Sequence, residues 1–407
     1  MNEMNNIQLC FVTTTQYQFM IADIYARYIY DKYKICPIVV NRTFPNFDTE
    51  KFDTENKYRM IPYTIHNKNV IGQCVFALQC GHLYRFSNWS KILDPQKKII
   101  MFVFNDMSKL ANRLMSETKK YSGNNRIYIV EEGNSTYSDS IELKNETLWR
   151  LKHKLSKVIF GYGRTSKVIG ESPLIDGAIV KDTVRYKKLN KSKKQTIIQQ
   201  NTEILQFAND FFEHYESAAS EGIETDIIYL GQPFYKNGKF FKYENDCIES
   251  VISAIPSEVK VLIKPHPRDL IKKYRKIVES HKNVTLISDD LSAIPIEALL
   301  NMTKAKVAIA IQSSAAITIA NLYPEINSLV LKNTPEALLM LEKLRELGDE
   351  GPVYDDEAFV GKNNNIYLPS SMNECAAIVN QKMKKSVDEA RCEVKTVDFD
   401  EIDRILF

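Results

Sequence analysis

Three short segments of this 407-residue chain carry side chains that do chemistry when they are held in place. Glu131-Glu132-Gly133 sets two carboxylates and a glycine directly after the run Arg126–Val130. The glycine permits a sharp turn, and successive strand residues point to opposite faces, so only one of the two glutamates serves a given ligand as a general base. Lys264-Pro265-His266-Pro267 frames an imidazole between two prolines. Each proline fixes its own φ and restricts the residue before it, and such stiff presentation suits a ligand contact. The other histidines, His66, His82, His153, His214 and His281, lack that frame and read as surface or satisfied polar residues. Finally, Gln312-Ser313-Ser314 follows an apolar run and opens into a helix over Ile317–Leu322. Hydroxyls and unpaired N–H groups at a helix N-terminus make an anion site, and a doubled serine beside a strand ending in His266 points to phosphate.

Supporting positions are less specific. Gly231 and Gln232 follow Asp226–Leu230 in a turn where a ligand has room to approach the backbone. Glu297 stands near a helix start, where it suits ribose hydroxyls and equally suits the helix dipole. Thr13, Thr14 and Gln16 follow the first strand and reach a ligand by position alone. No G-x-G-x-x-G follows that strand and no P-loop exists, which excludes dinucleotide and P-loop nucleotide readings. Cys80-Gly81-His82 lacks the second pair of a zinc site, and Asp398-Phe399-Asp400 sits in a charged tail. No metal site is expected.

These segments need elements to position them. Short β-branched runs alternate with helix-period stretches: Ile7–Thr13, Ile35–Asn41, Arg59–Ile65, Ile99–Asn105 and Arg126–Val130, then Asp226–Leu230, Lys260–Ile263, Val284–Ser288, Lys306–Ile311 and Asn327–Leu331. Near-continuous apolar strands separated by helices indicate parallel sheets covered on both faces. The pattern predicts an α/β protein with an N-terminal Rossmann-like domain over 1–190, a second over 191–375, and a helix and tail over 376–407. A long helix is read over Lys194–Ala219. A basic stretch, with Lys181, Arg185, Lys187, Lys188, Lys191, Lys193 and Lys194, is read as lying between the domains. In open parallel sheets ligands bind beyond the carboxyl ends of the strands, which is where the three segments fall.

Composition narrows the classes. A formal net charge of +3 argues against binding nucleic acid through bulk charge. Seven scattered cysteines fit a reducing compartment, and no run approaches the ~18 apolar residues of a membrane span. The opening residues have no basic segment leading into an apolar one, so no secretory signal is expected.

Taken together and in order, Glu131-Glu132-Gly133, Lys264-Pro265-His266-Pro267 and Ser313-Ser314 resemble the D/E-D/E-G, HP and serine motifs of bacterial sialyltransferases. The context Glu131-Glu132-Gly133-Asn134-Ser135-Thr136-Tyr137 is most similar to the capsular α-2,8 polysialyltransferases of glycosyltransferase family 38, with family 52 lipooligosaccharide sialyltransferases more distant. The resemblance implies a GT-B fold, two Rossmann-like doubly wound parallel-sheet domains facing a cleft, and an inverting transfer without metal or cofactor. It implies CMP-Neu5Ac as donor and an anionic oligosialic, polysialic or lipid-linked glycan as acceptor. Glu131 would be the base, with Glu132 the alternative, and His266 would meet the departing phosphate. Ser313 and Ser314 would bind that phosphate, Lys264 and Pro267 would line a cytosine pocket, and Glu297 would hold the ribose. The family setting implies a cytoplasmic enzyme, peripheral at the inner membrane face, working with a capsule biosynthesis or export complex and not with nucleic acid. A single-addition lipooligosaccharide enzyme, a GT-B transferase using CMP-Kdo or CDP-glycerol, and a non-enzymatic capsule scaffold stay open as alternatives.

Overall fold

The computed structural model describes residues 6–42, 57–63, 92–137, 168–189, 195–201, 223–232, 241–266, 269–300 (293 apart), 303–346, 364–384 and 399–406, with a few isolated positions. The chain divides into two compact units, Met1–Ile204 with Val397–Phe407, and Leu205–Thr396.

The first unit is built on seven strands: β1 (Ile7–Thr13), β2 (Ile38–Arg42), β3 (Arg59–Tyr63), β4 (Lys98–Val103), β5 (Arg126–Val130), β6 (Gly177–Val180) and β7 (Thr196–Gln199). Their spatial order is β3-β2-β1-β4-β5-β6-β7, and every pairing is parallel. The strand order reverses between β1 and β4, the position at which doubly wound sheets bind ligands. One face packs Ile127 and Ile129 with Leu114, Met115, Tyr137 and Tyr186. The other carries a stack of Phe11, Phe102 and Tyr128, with Phe11 and Phe102 centroids 4.6 Å apart. Thr15 caps the helix Gln16–Tyr33 by accepting from the Gln18 amide.

The second unit repeats the scheme with β8 (Ile227–Leu230), β9 (Val261–Lys264), β10 (Val284–Leu286), β11 (Val307–Ala310), β12 (Asn327–Val330) and β13 (Ile366–Tyr367). The order is β10-β9-β8-β11-β12-β13, again all parallel. Its core joins Ile227, Tyr229 and Ile309 to the helices Phe241–Ala254, Pro335–Glu346 and Met372–Met383.

Some readings change on the structure. Residues 196–199, assigned to a long helix from sequence, form β7, because their backbone pairs with β6 and Ile198 is buried. The two compact units divide at Ile204/Leu205, just after β7. Of the helix and tail expected over 376–407, the helix Met372–Met383 fills the second core with Cys375 and Val379, and Asp400–Leu406 belongs to the first unit. There Glu401 is buried and accepts from Tyr25 Oη (2.8 Å) and the Asn201 amide (3.0 Å). The basic stretch, read as lying between the domains, belongs to the first unit. Lys181 follows β6, and Arg185 and Lys187 lie on a short helix, Thr183–Lys187, of the first unit. Lys191, Lys193 and Lys194 lie outside the described residues.

Candidate active site

In the first unit the two adjacent carboxylates separate as a period of two demands. Glu131 prolongs β5, its amide donating to Ile179 O at 3.0 Å, on the face that buries Ile127 and Ile129. Its side chain is 5% exposed. Oε2 accepts from the Tyr137 hydroxyl and from the Lys181 amide (2.6 Å), and the Asp182 amide donates to Tyr137 Oη at 2.8 Å. Burial, then the neighbouring Glu131 charge, pushes the Tyr137 phenol far above its ordinary range, so it stays a neutral donor. Among the described residues no further hydrogen bond reaches the Glu131 carboxylate, and both bonds it accepts fall on Oε2.

Glu132 leaves on the opposite face and is half-buried. Its Oε2 accepts from Gln18 Nε2, while Gln18 Oε1 accepts from the Thr14 amide (2.7 Å) and Thr14 Oγ1 (3.0 Å). Because β4 lies between β1 and β5, the loops after β1 and β5 meet over its end. Gly133 turns the chain at φ 119°, a value that excludes most side chains, and Thr136 Oγ1 accepts from the Glu132 amide (3.1 Å). Of the positions nominated after β1, Thr14 joins this network, whereas Gln16 is buried in the helix's first turn. Gln18 and Tyr137 were missed by sequence reasoning. Their one legible signal was proximity to a nominated segment.

In the second unit, His266 follows β9 and Ser313-Ser314 follow β11, with β8 between them. Their loops therefore flank Gly231-Gln232. His266 is half-buried, and its carbonyl accepts from the Asp269 amide at 2.8 Å. Pro267 lies outside the described residues. Ser313 caps the helix Ser314–Leu322, its Oγ accepting from the Ala315 amide (3.2 Å), and Ser313 and Ser314 are both half-buried at the helix N-terminus.

Gly231 and Gln232 do other work than the open turn expected of them. A Cβ on Gly231 would collide with the hydroxyl of the buried Tyr274, so only glycine fits there. Gln232 clamps the serine loop: Oε1 accepts from the Gln312 amide (3.1 Å) and Nε2 donates to Gln312 O. Lys264 is 4% exposed, and its Nζ donates to Ser292 O (2.6 Å) and Pro265 O (3.2 Å). Burial pulls its ammonium down to about 7, opposed by the charge of Glu297, which is buried too. Its head group thus braces the loops around Glu297. Among the described residues no group of three or more His, Cys, Asp or Glu is placed to hold a metal, and no helix is long and apolar enough to cross a membrane.

Two Rossmann-type units of this topology, with polar groups gathered at the carboxyl ends of their strands, constitute the GT-B architecture. Its likeness to solved structures is one of fold. A UDP-GlcNAc 2-epimerase from Methanocaldococcus jannaschii, in complex with UDP-GlcNAc and UDP, superposes with a TM-score of 0.54 at 12% identity, covering 93% of this chain and 93% of that one. A UDP-N-acetylglucosamine 2-epimerase from Listeria monocytogenes gives 0.53 at 12% identity, covering 93% and 88%. The GT-B domain of a Photobacterium damselae sialyltransferase gives 0.44 at 13% identity, covering 84% and 97%. No curated protein sequence matches. A family model described as alpha-2,8-polysialyltransferase matches residues 82–332, which include all three motif segments. The chain belongs to that family and is a glycosyltransferase.

Proposed function

We propose that the protein extends α-2,8 polysialic acid of a capsular glycan by inverting, metal-independent transfer from CMP-Neu5Ac. The observation that carries this reading is the placement of all three motifs at the carboxyl ends of β5, β9 and β11 within the family-matched span. The acceptor hydroxyl oxygen attacks the anomeric carbon, the bond from that carbon to the phosphate oxygen breaks, and its electron pair departs on CMP. Glu131 takes the hydroxyl proton on Oε1, Oε2 being held by Tyr137 and the Lys181 amide. His266 and the helix N-terminus at Ser313-Ser314 meet the charge gathering on the phosphate, a role preorganised donors fill without a metal when one phosphate must be neutralised. Glu297 holds the ribose, Lys264 sets the loop that presents it, and Pro267 flanks the base.

An anionic acceptor fits the basic residues beside Glu131. Lys181 supplies its amide to the carboxylate, Arg185 stacks over the Tyr137 ring at 4.9 Å, and Lys187 and Lys188 are exposed nearby. The family setting adds work at the inner membrane face with a capsule assembly. The test is incubation with CMP-Neu5Ac and a labelled oligosialic acceptor, followed by sizing of the product. A ladder of lengthened chains is expected. A single added residue would instead indicate a one-step sialyltransferase, transfer only from CMP-Kdo or CDP-glycerol a different donor class, and no transfer from any donor a scaffold.

A further inference from the structure

The geometry points to Lys273 as the positioning residue that sets both phosphate-facing loops of the second unit at once. This rests on the donor assignment above and deepens it. Lys273 is 3% exposed, and its Nζ donates to Gln232 O (2.6 Å), Glu244 Oε2 (2.5 Å) and Asp269 Oδ2 (2.5 Å). The Glu244 and Asp269 side chains have no exposed surface. Two of the three partners lead directly to the loops in question. Gln232 clamps the Gln312 backbone immediately before Ser313. The Asp269 amide donates to the carbonyl of His266, and its carboxylate is further held by Tyr274 Oη at 2.6 Å.

Stability does not account for this network. Two carboxylates share one ammonium in the interior, and burial pushes Glu244 up to about 7 against the pull of Lys273. Glu244 Oε1 and Tyr229 Oη are buried without a hydrogen-bond partner among the described residues. Apolar replacements of such ionic clusters are often as stable or more so, and in some proteins the cluster instead serves to specify one arrangement, the role inferred for it here. Here that arrangement reaches the loops after β8, β9 and β11, the three that bear on CMP binding in the donor assignment above.

The test measures CMP binding by calorimetry, and donor and acceptor KM separately, for wild type, Lys273→Met, Gln232→Ala and Asp269→Asn. Gln232→Ala removes only the clamp on Gln312 and Asp269→Asn only the ion pair beneath the His266 loop, and the two together decide the matter if Lys273→Met does not fold. Expected is a rise of about tenfold or more in both CMP Kd and donor KM, with acceptor KM unchanged, in proteins of native circular dichroism. Folded variants with unchanged CMP Kd, or a fall in kcat alone, overturn the assignment, since loss of active material lowers kcat without moving KM. A wild type that neither binds CMP nor transfers from CMP-Neu5Ac would overturn the functional reading instead.

Discussion

The two units hold their reactive groups by opposite means. In the first, a buried carboxylate is fixed by a neutral phenol and a backbone amide, so one charge sits among dipoles. In the second, the backbones of the loops that carry His266 and Ser313 are tied, through the Asp269 amide and Gln232, to a charged knot of Lys273, Glu244 and Asp269. The difference fits the tasks proposed for the two sites. A base must keep one oxygen available and its charge undiluted, which neutral donors on the other oxygen allow. A phosphate site needs several donors in register across three strand ends, and a compact ammonium with three partners couples them.

The sharpest way to break this comparison is to remove the proposed reacting groups. His266→Ala and Glu131→Gln should each lower kcat by about 10²–10⁴ with native circular dichroism, whereas Glu132→Gln should cost less than roughly tenfold. The reverse order for the two glutamates would transfer the base to the Gln18 side of β5. A smaller effect is expected at the support. Tyr137→Phe deletes one hydrogen bond to a charged group, worth about 1.5–3 kcal/mol, and should lower kcat by roughly ten- to hundredfold while leaving donor KM unchanged. An unchanged kcat in a variant of native circular dichroism would mean that the phenol serves the fold and not the base.

The smallest effect concerns stability. A carboxyl whose folded pKa is raised binds protons more readily when folded, so its contribution to stability falls as pH rises from its ordinary 4.5 to about 7. Glu244→Gln should remove that slope and gain on the order of 1–3 kcal/mol relative to wild type above pH 7, read by denaturant unfolding across pH 5–8. An unchanged difference between the two proteins over that range would show that Glu244 titrates normally and that the knot is not under charge stress.

Much of the architecture was legible because it is written in short-range pattern. β1 and β5 fall where their apolar runs lie, and the helix at Ser314 begins at its serine cap. β6, β7 and β13 were not read. β7 offers only Ile197 and Ile198 between polar residues, and β13 is two residues long, so neither carries a periodic signal. The basic stretch misled for a related reason: charge density resembled a linker, whereas Tyr186 anchors it in the first core.

By itself the amino-acid order determined which residues stand at strand ends, that two glutamates in succession must part to opposite faces, and that an imidazole between prolines is stiffly presented. These follow from backbone geometry over a few residues. Only the tertiary structure decided that Tyr137 and the Lys181 amide hold one glutamate and Gln18 the other, that Gly231 makes room for Tyr274, and that Lys273 ties three strand ends together. Parallel strands pair across long crossovers, so residues far apart in the chain become neighbours through sheet order, which no local pattern records.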